Sequence, residues 1–211
     1  MKSDLMEKFR YYAIKIAIVC VVLFFLQNVY DITGDFLLRS EILLQKPWTL
    51  VTSMFLHGDL EHLFYNMFAL VMFGSILEKT IGSKRFVTLY FVAGIVAGLG
   101  GTLLYSAMLG ASGAIYGALG CLGLLRPKMK VWAFGVPMPM IVAVLLWASF
   151  DFIGLFAPGE VAYAAHLFGL GAGILLALYW KERFKEHKEK RERLRPIPER
   201  IMRRWEDFWM R

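Results

Sequence analysis

The chain has 211 residues, 58% of them hydrophobic, a mean hydropathy of +0.53 and a formal net charge of +7. Soluble domains average roughly 45–50% apolar residues, so this composition excludes an ordinary soluble domain and reads as a membrane protein. The positive charge gathers at the two ends and in short loops between apolar runs, which excludes a nucleic-acid-reading face and matches the way membrane topology is written.

The first apolar segment, about Tyr12 to Tyr30, follows MKSDLMEKFRYYAIK. Its charge order is that of a signal peptide, but the run is too long and no small-x-small cleavage site follows. An uncleaved first span behind a cytoplasmic N-terminus of residues 1–11 is therefore expected. The first loop, Asp31 to Asp59, is too long to be structureless. With FLLRSEILLQKPWTLVTSMFL at its centre it is also too apolar to float, so a partly helical interfacial element is predicted, anchored by Trp48.

Five more apolar segments follow at about Leu60 to Leu77, Phe86 to Met108, Ser112 to Leu125, Val131 to Phe150 and Val161 to Trp180. The predicted fold class is an all-α membrane protein, a bundle of six transmembrane helices over residues 12–180. Lys2, Lys8, Arg10 and Lys15 precede the first span. Lys79, Lys84 and Arg85 lie between the second and third, Arg126, Lys128 and Lys130 between the fourth and fifth, and a dense basic run follows the sixth. The alternate loops carry only Arg39 and Lys46 against Asp31, Asp35, Glu41, Asp59, Asp151 and Glu160. The positive-inside bias then puts both termini in the cytoplasm. In the tail, residues 181–211, Ile201, Trp205 and Phe208 share a helical face opposite the arginines, which predicts an amphipathic helix on the anionic inner leaflet. A solvated charged helix is the alternative for its first half.

The fourth segment is too short. Fourteen residues rise about 21 Å against a hydrocarbon core of about 30 Å, so with Arg126 at the cytoplasmic surface the other end, Ser112, stops roughly 10 Å below the far surface. Glycine-rich backbone at that depth needs protein or a water-filled cavity to satisfy it, which implies a wet cavity open to the extracytoplasmic side.

Polar groups inside spans default to functional hypotheses. His62 and Asn66, spaced i, i+4, project from one helical face. His166 lies roughly 8 Å into the sixth span, near the depth of Ser112. A serine hydroxyl needs a base, which neutral histidine supplies, and attack on a carbonyl creates an oxyanion that needs donors. The backbone N–H of Ser112 and the side chains of His62 and Asn66 are candidates, and on this reading acyl transfer needs no aspartate.

Alternatives stand beside it. Gly110, Gly113, Gly117 and Gly120 also form a seam for helix packing, and a membrane histidine or asparagine also serves as interhelical glue. A zinc site is disfavoured, since His57 and His62 lie about 140° apart round a helix and HExxH is absent. Cys20 and Cys121 fall inside apolar runs without metal-ligand spacing and read as packed free thiols. No cofactor or metal is expected.

Four stretches in order, PWTLVTSMFLHGDLEHLFYNM (Pro47 to Met67), FGSILEKTIGS (Phe73 to Ser83), GASGAIYG (Gly110 to Gly117) and AHLFGLGAG (Ala165 to Gly173), resemble a rhomboid intramembrane serine protease across the whole core. The resemblance implies Ser112 as nucleophile, His166 as general base, His62 and Asn66 as oxyanion support, and Tyr116 as the aromatic on which the histidine ring packs. It implies that Gly169 and Gly173 form the seam against the serine-bearing helix, with Gly113 packing near the site, and that Glu78 is structural. Many rhomboids carry Trp-Arg in the first loop, whereas here Thr49 follows Trp48. The family form implied is the six-span core with a tail and no added seventh span. The implied partners are single-span membrane-protein substrates and membrane lipids, with the oligomeric state left open.

Cleavage inside a helix requires the substrate to unwind, which favours Gly, Ala, Ser or Pro near the cut. The fifth span and the following DFIGLFAPGE are expected to move as a lid, with Phe152 and Phe156 capping the cavity and Pro158 and Gly159 shaping the backbone. A non-catalytic rhomboid-like binding or chaperone module is the rival reading. A transporter is a weaker one, because no internal repeat is seen.

Overall fold

The computed structural model describes residues 9–157, 159 and 161–193. The expected tail helix around Ile201, Trp205 and Phe208 lies outside them, as does Pro158. The chain divides into two compact units, Met1–Ala177 and Leu178–Arg211, and every candidate site residue belongs to the first.

The first helix, α1 (Tyr12–Val29), buries Ala13, Ile16, Ala17 and Cys20, the i, i+3, i+4, i+7 stripe of one face. Its other face turns Ile18, Val22 and Phe25 outward, each more than half exposed. A helix apolar on both faces finds its solvent in lipid. The free amide groups around its start are tied down by Glu78, whose buried carboxylate accepts from the backbone N–H of Arg10 (3.3 Å) and Ala13 (3.1 Å) and from the Ser83 hydroxyl (2.6 Å). Glu78 is therefore the structural group that was expected.

The first loop is partly helical, as its apolar pattern predicts. It contains α2 (Thr33–Phe36), the short strand β1 (Leu38–Arg39), α3 (Thr49–Thr52) and two single 3₁₀ turns, Ser40–Ile42 and Ser53–Phe55. Thr49 takes a place an arginine could not fill without rearrangement: it is buried, and its hydroxyl donates to the Lys46 carbonyl at 2.6 Å, while Trp48 is half exposed.

Asp59 caps the next helix, α4 (Leu60–Ala69), by accepting from the His62 N–H at 2.7 Å. A π-helical turn at Leu70–Gly74 joins α4 to α5 (Ser75–Ile81). Gly82, at φ 89°, ends that run and opens α6 (Ser83–Gly101). The third apolar segment thus stops sooner than its composition suggests, because β2 (Ala107–Met108) leaves the helix to pair antiparallel with β1.

Next comes α7 (Ser112–Leu125), buried from Gly113 to Ile115 and from Gly117 to Gly123, the innermost helix of the bundle. The reading of Val131 to Phe150 as one helical span needs correction. Its first part is a hairpin of β3 (Lys130–Ala133) and β4 (Val136–Pro139). Phe134 (φ 53°) and Gly135 (φ 77°) form the two-residue turn with both φ positive that suits a hairpin, and Pro137 and Pro139 exclude helix there. Helix α8 (Met140–Gly154) begins only after Pro139, and α9 spans Tyr163–Arg193.

Among the described residues, four stretches are long and apolar enough to cross a membrane: Tyr12–Val29, Leu60–Ile81, Ser83–Gly101 and Tyr163–Lys181. Ser112–Leu125 and Met140–Gly154 are shorter apolar helices. The protein is an integral membrane protein of mostly helical structure.

Candidate active site

The chain enters α7 through Gly110, whose φ of 122° is open to glycine and strained for any other residue, and whose N–H donates to the Ser53 carbonyl at 2.9 Å. Ser112 is the first helical residue. At that position the backbone N–H groups of the opening turn have no partner within the helix and point the positive end of its dipole outward.

His166 sits on α9, one turn from its start at Tyr163. Its Nε2 lies 2.8 Å from the Ser112 hydroxyl, although 54 positions separate the two in the chain. The Tyr116 ring stacks on the imidazole, with centroids 4.3 Å apart and planes 12° from parallel, while Tyr163 meets it edge-on at 6.4 Å. Of the residues that the motifs single out, His166 thus touches both Ser112 and Tyr116.

Close approach of α7 and α9 makes this possible. A methyl group built on Gly169 would run into the Gly113 carbonyl, and one on Gly173 into the Gly117 carbonyl. On the other side of α7, Gly113 and Gly117 receive the methyls of Ala97 and Ala93 from α6. The glycines of GASGAIYG therefore serve as a seam for packing, with Ser112 standing at the start of the same helix.

His62 and Asn66 face Gly110, two residues before the serine. A methyl added to Gly110 would sit 2.7 Å from His62 Nε2 and 3.8 Å from Asn66 Nδ2. Asn66 is buried, and its Nδ2 has no hydrogen-bond partner among the described residues. A donor held unpaired beside the serine-bearing turn is what an oxyanion would require.

His57 stands behind His62, its ring edge-on at 5.1 Å. Gln27 of α1 braces its backbone, accepting from the His57 N–H at 3.1 Å and donating to its carbonyl at 3.3 Å. Burial first, and the His62 ring second, push the His57 pKa down from 6.5 to about 4, against weaker opposing effects of the Phe55 backbone and Asp59. The unfolded chain then takes up a proton below about pH 6.5 that the folded chain refuses until about pH 4. Stability in detergent is expected to fall across this window as pH is lowered, by up to about 3 kcal/mol. A His57→Gln variant should have a flatter unfolding profile over the same range.

The sequence pattern places Asp151 in a loop, but it lies in the last turn of α8, 5% exposed, with Oδ2 3.2 Å from His166 Nδ1. A signal was present: Met140, Ala143, Val144, Asp151 and Gly154 are the buried residues of α8 and recur with helical spacing. Ending the segment at Phe150 hid it. Phe152 and Phe156 pack edge-to-face at 5.6 Å, both well exposed.

A family model described as the Rhomboid domain matches residues 44–183. The chain is 33% identical over 171 residues to the mitochondrial Rhomboid protein 1 of Saccharomyces cerevisiae, covering 73% of this chain and 49% of that protein. It is 27% identical over 181 residues to the rhomboid protease GlpG of Yersinia pseudotuberculosis, covering 81% and 62%. With the rhomboid protease GlpG of Serratia proteamaculans it shares 31% identity over 147 residues, covering 68% and 51%. The chain therefore spans about half to three-fifths of the length of these curated relatives. A family match over most of the chain, together with a relative of this identity, makes it a member of the rhomboid family.

Proposed function

We propose that this protein is a serine endopeptidase that cleaves single-span membrane proteins within or next to their transmembrane segments. The observation that carries the reading is the 2.8 Å contact between Ser112 Oγ and His166 Nε2 at the start of a buried helix. The reading counts six spans, the four long helices plus the recessed α7 and the short α8. It puts both termini on the cytoplasmic side and opens the serine toward the other. The catalytic core is residues 12–180, and 181–211 form a cytoplasmic tail.

In the first step Oγ of Ser112 bonds to the scissile carbonyl carbon as its proton passes to His166 Nε2. The carbonyl π pair moves onto oxygen. The Ser112 N–H, His62 and Asn66 hold that oxyanion. Collapse breaks the C–N bond, and the Nε2 proton goes to the departing amine. Water then repeats the sequence on the acyl-enzyme with His166 again as base. Substrate enters past α8 and the Phe152–Phe156 pair, after local unwinding exposes its peptide bond.

Reconstituted wild type is expected to cut a single-span substrate bearing Gly-Ala near one end, and to take a fluorophosphonate label. Both should vanish in a folded Ser112→Ala variant. A folded wild type that shows neither, over several substrates, would make the chain a binding module instead.

A further inference from the structure

Asp151 has no part in the two-residue mechanism just described. It is nevertheless a carboxylate buried on the inner face of an apolar helix, where an unpaired charge is expensive. Helix stability does not explain it either, since an acid in a last turn opposes the helix dipole. Its partner is His166 Nδ1, at 3.2 Å.

That contact does something the rest of the site does not. Stacking on Tyr116 fixes the plane of the imidazole but not its rotation within that plane, nor which nitrogen carries the proton. A carboxylate only accepts. With Asp151 at Nδ1, the proton sits on Nδ1 and the lone pair of Nε2 faces the Ser112 hydroxyl, the one tautomer in which His166 takes a proton from serine. The same carboxylate faces the imidazolium that forms when the proton arrives.

We propose that Asp151 is a positioning residue for His166, completing a serine–histidine–aspartate constellation built from α7, α9 and α8. This rests on the serine protease reading above. Asp151→Asn keeps the shape and removes the charge. Expected is a fall of about a hundredfold in kcat with KM within about threefold, and a matching slowing of fluorophosphonate labelling at Ser112. Asp151→Glu should recover part of the rate. A merely structural tether would lower the folded fraction and leave kcat per folded molecule unchanged, which would overturn the proposal.

Should Asp151→Asn fail to fold, the wild type itself decides. In ¹⁵N spectra of histidine-labelled protein, with His166 assigned by its loss in His166→Phe, the ring is expected as the Nδ1-protonated tautomer. An Nε2-protonated ring, or rapid exchange between the two forms, would refute the role. Wild type without cleavage or label would overturn the protease reading, while the tautomer would still report on Asp151.

Discussion

Gly173→Ala is expected to abolish cleavage and to destabilise the fold by about 3 kcal/mol or more. The new methyl would meet the Gly117 carbonyl, a backbone atom in the middle of α7 that no side-chain rotation can move aside. The helices must separate, and with them Ser112 and His166, whose contact leaves no slack at 2.8 Å. Gly169→Ala meets the Gly113 carbonyl, one residue from Ser112, and should remove activity at least as completely. Gly171 provides the control. It lies on the same helix with nothing within 4 Å of an added methyl, so Gly171→Ala should keep full activity and gain up to about 1 kcal/mol from helix propensity. Unfolding in mixed detergent and cleavage of the single-span substrate measure both. Equal behaviour of Gly171→Ala and Gly173→Ala would show that the seam does not hold the site together.

Gly110→Ala should damage the chemistry more than the fold. The residue has φ 122°, so any side chain is strained there, and its methyl would press on His62 at 2.7 Å from Nε2. His62 ends in a movable ring and will yield, which limits the folding cost to about 1–3 kcal/mol. Yielding takes it from the oxyanion, and loss of such a donor costs about 10²–10³ in kcat. KM should change little, because the donor acts in the transition state. Gly135→Ala carries similar strain at φ 77° in the β3–β4 turn, with open space around it, and should leave kcat intact. A Gly110→Ala enzyme with normal kcat would remove His62 from the proposed mechanism.

Most of the site was legible because its chemistry is unusual where it stands. Ser112, His62, Asn66 and His166 are polar residues in apolar runs, and the brevity of the Ser112 helix put the serine at the same depth as His166 before any contact was seen. Gly169 and Gly173 were legible only through the family resemblance. What escaped was whatever depended on where an apolar run changes conformation. Val131 to Phe150 is uniformly greasy, and composition does not separate a hairpin from a helix. The punctuation was Gly135, Pro137 and Pro139. Misplacing the helix by one hairpin also misplaced its end, and Asp151 fell outside by a single residue. The end of α6 at Gly101 was hidden similarly, since Leu103 and Leu104 continue the apolar run although the helix does not.

The outward face of α1 has a consequence for how this family member tolerates change. Ile18, Val22, Phe25 and Val29 meet acyl chains about as apolar as themselves, so exchanging one for another gains or loses little. Cohesion comes instead from contacts that need no water to drive them: a glycine against a carbonyl, and a carboxylate gathering stray amide hydrogens. Substitutions among large aliphatic residues on this coat should accumulate almost silently, while at Gly169, Gly173 and Glu78 even one added carbon or one lost oxygen is felt.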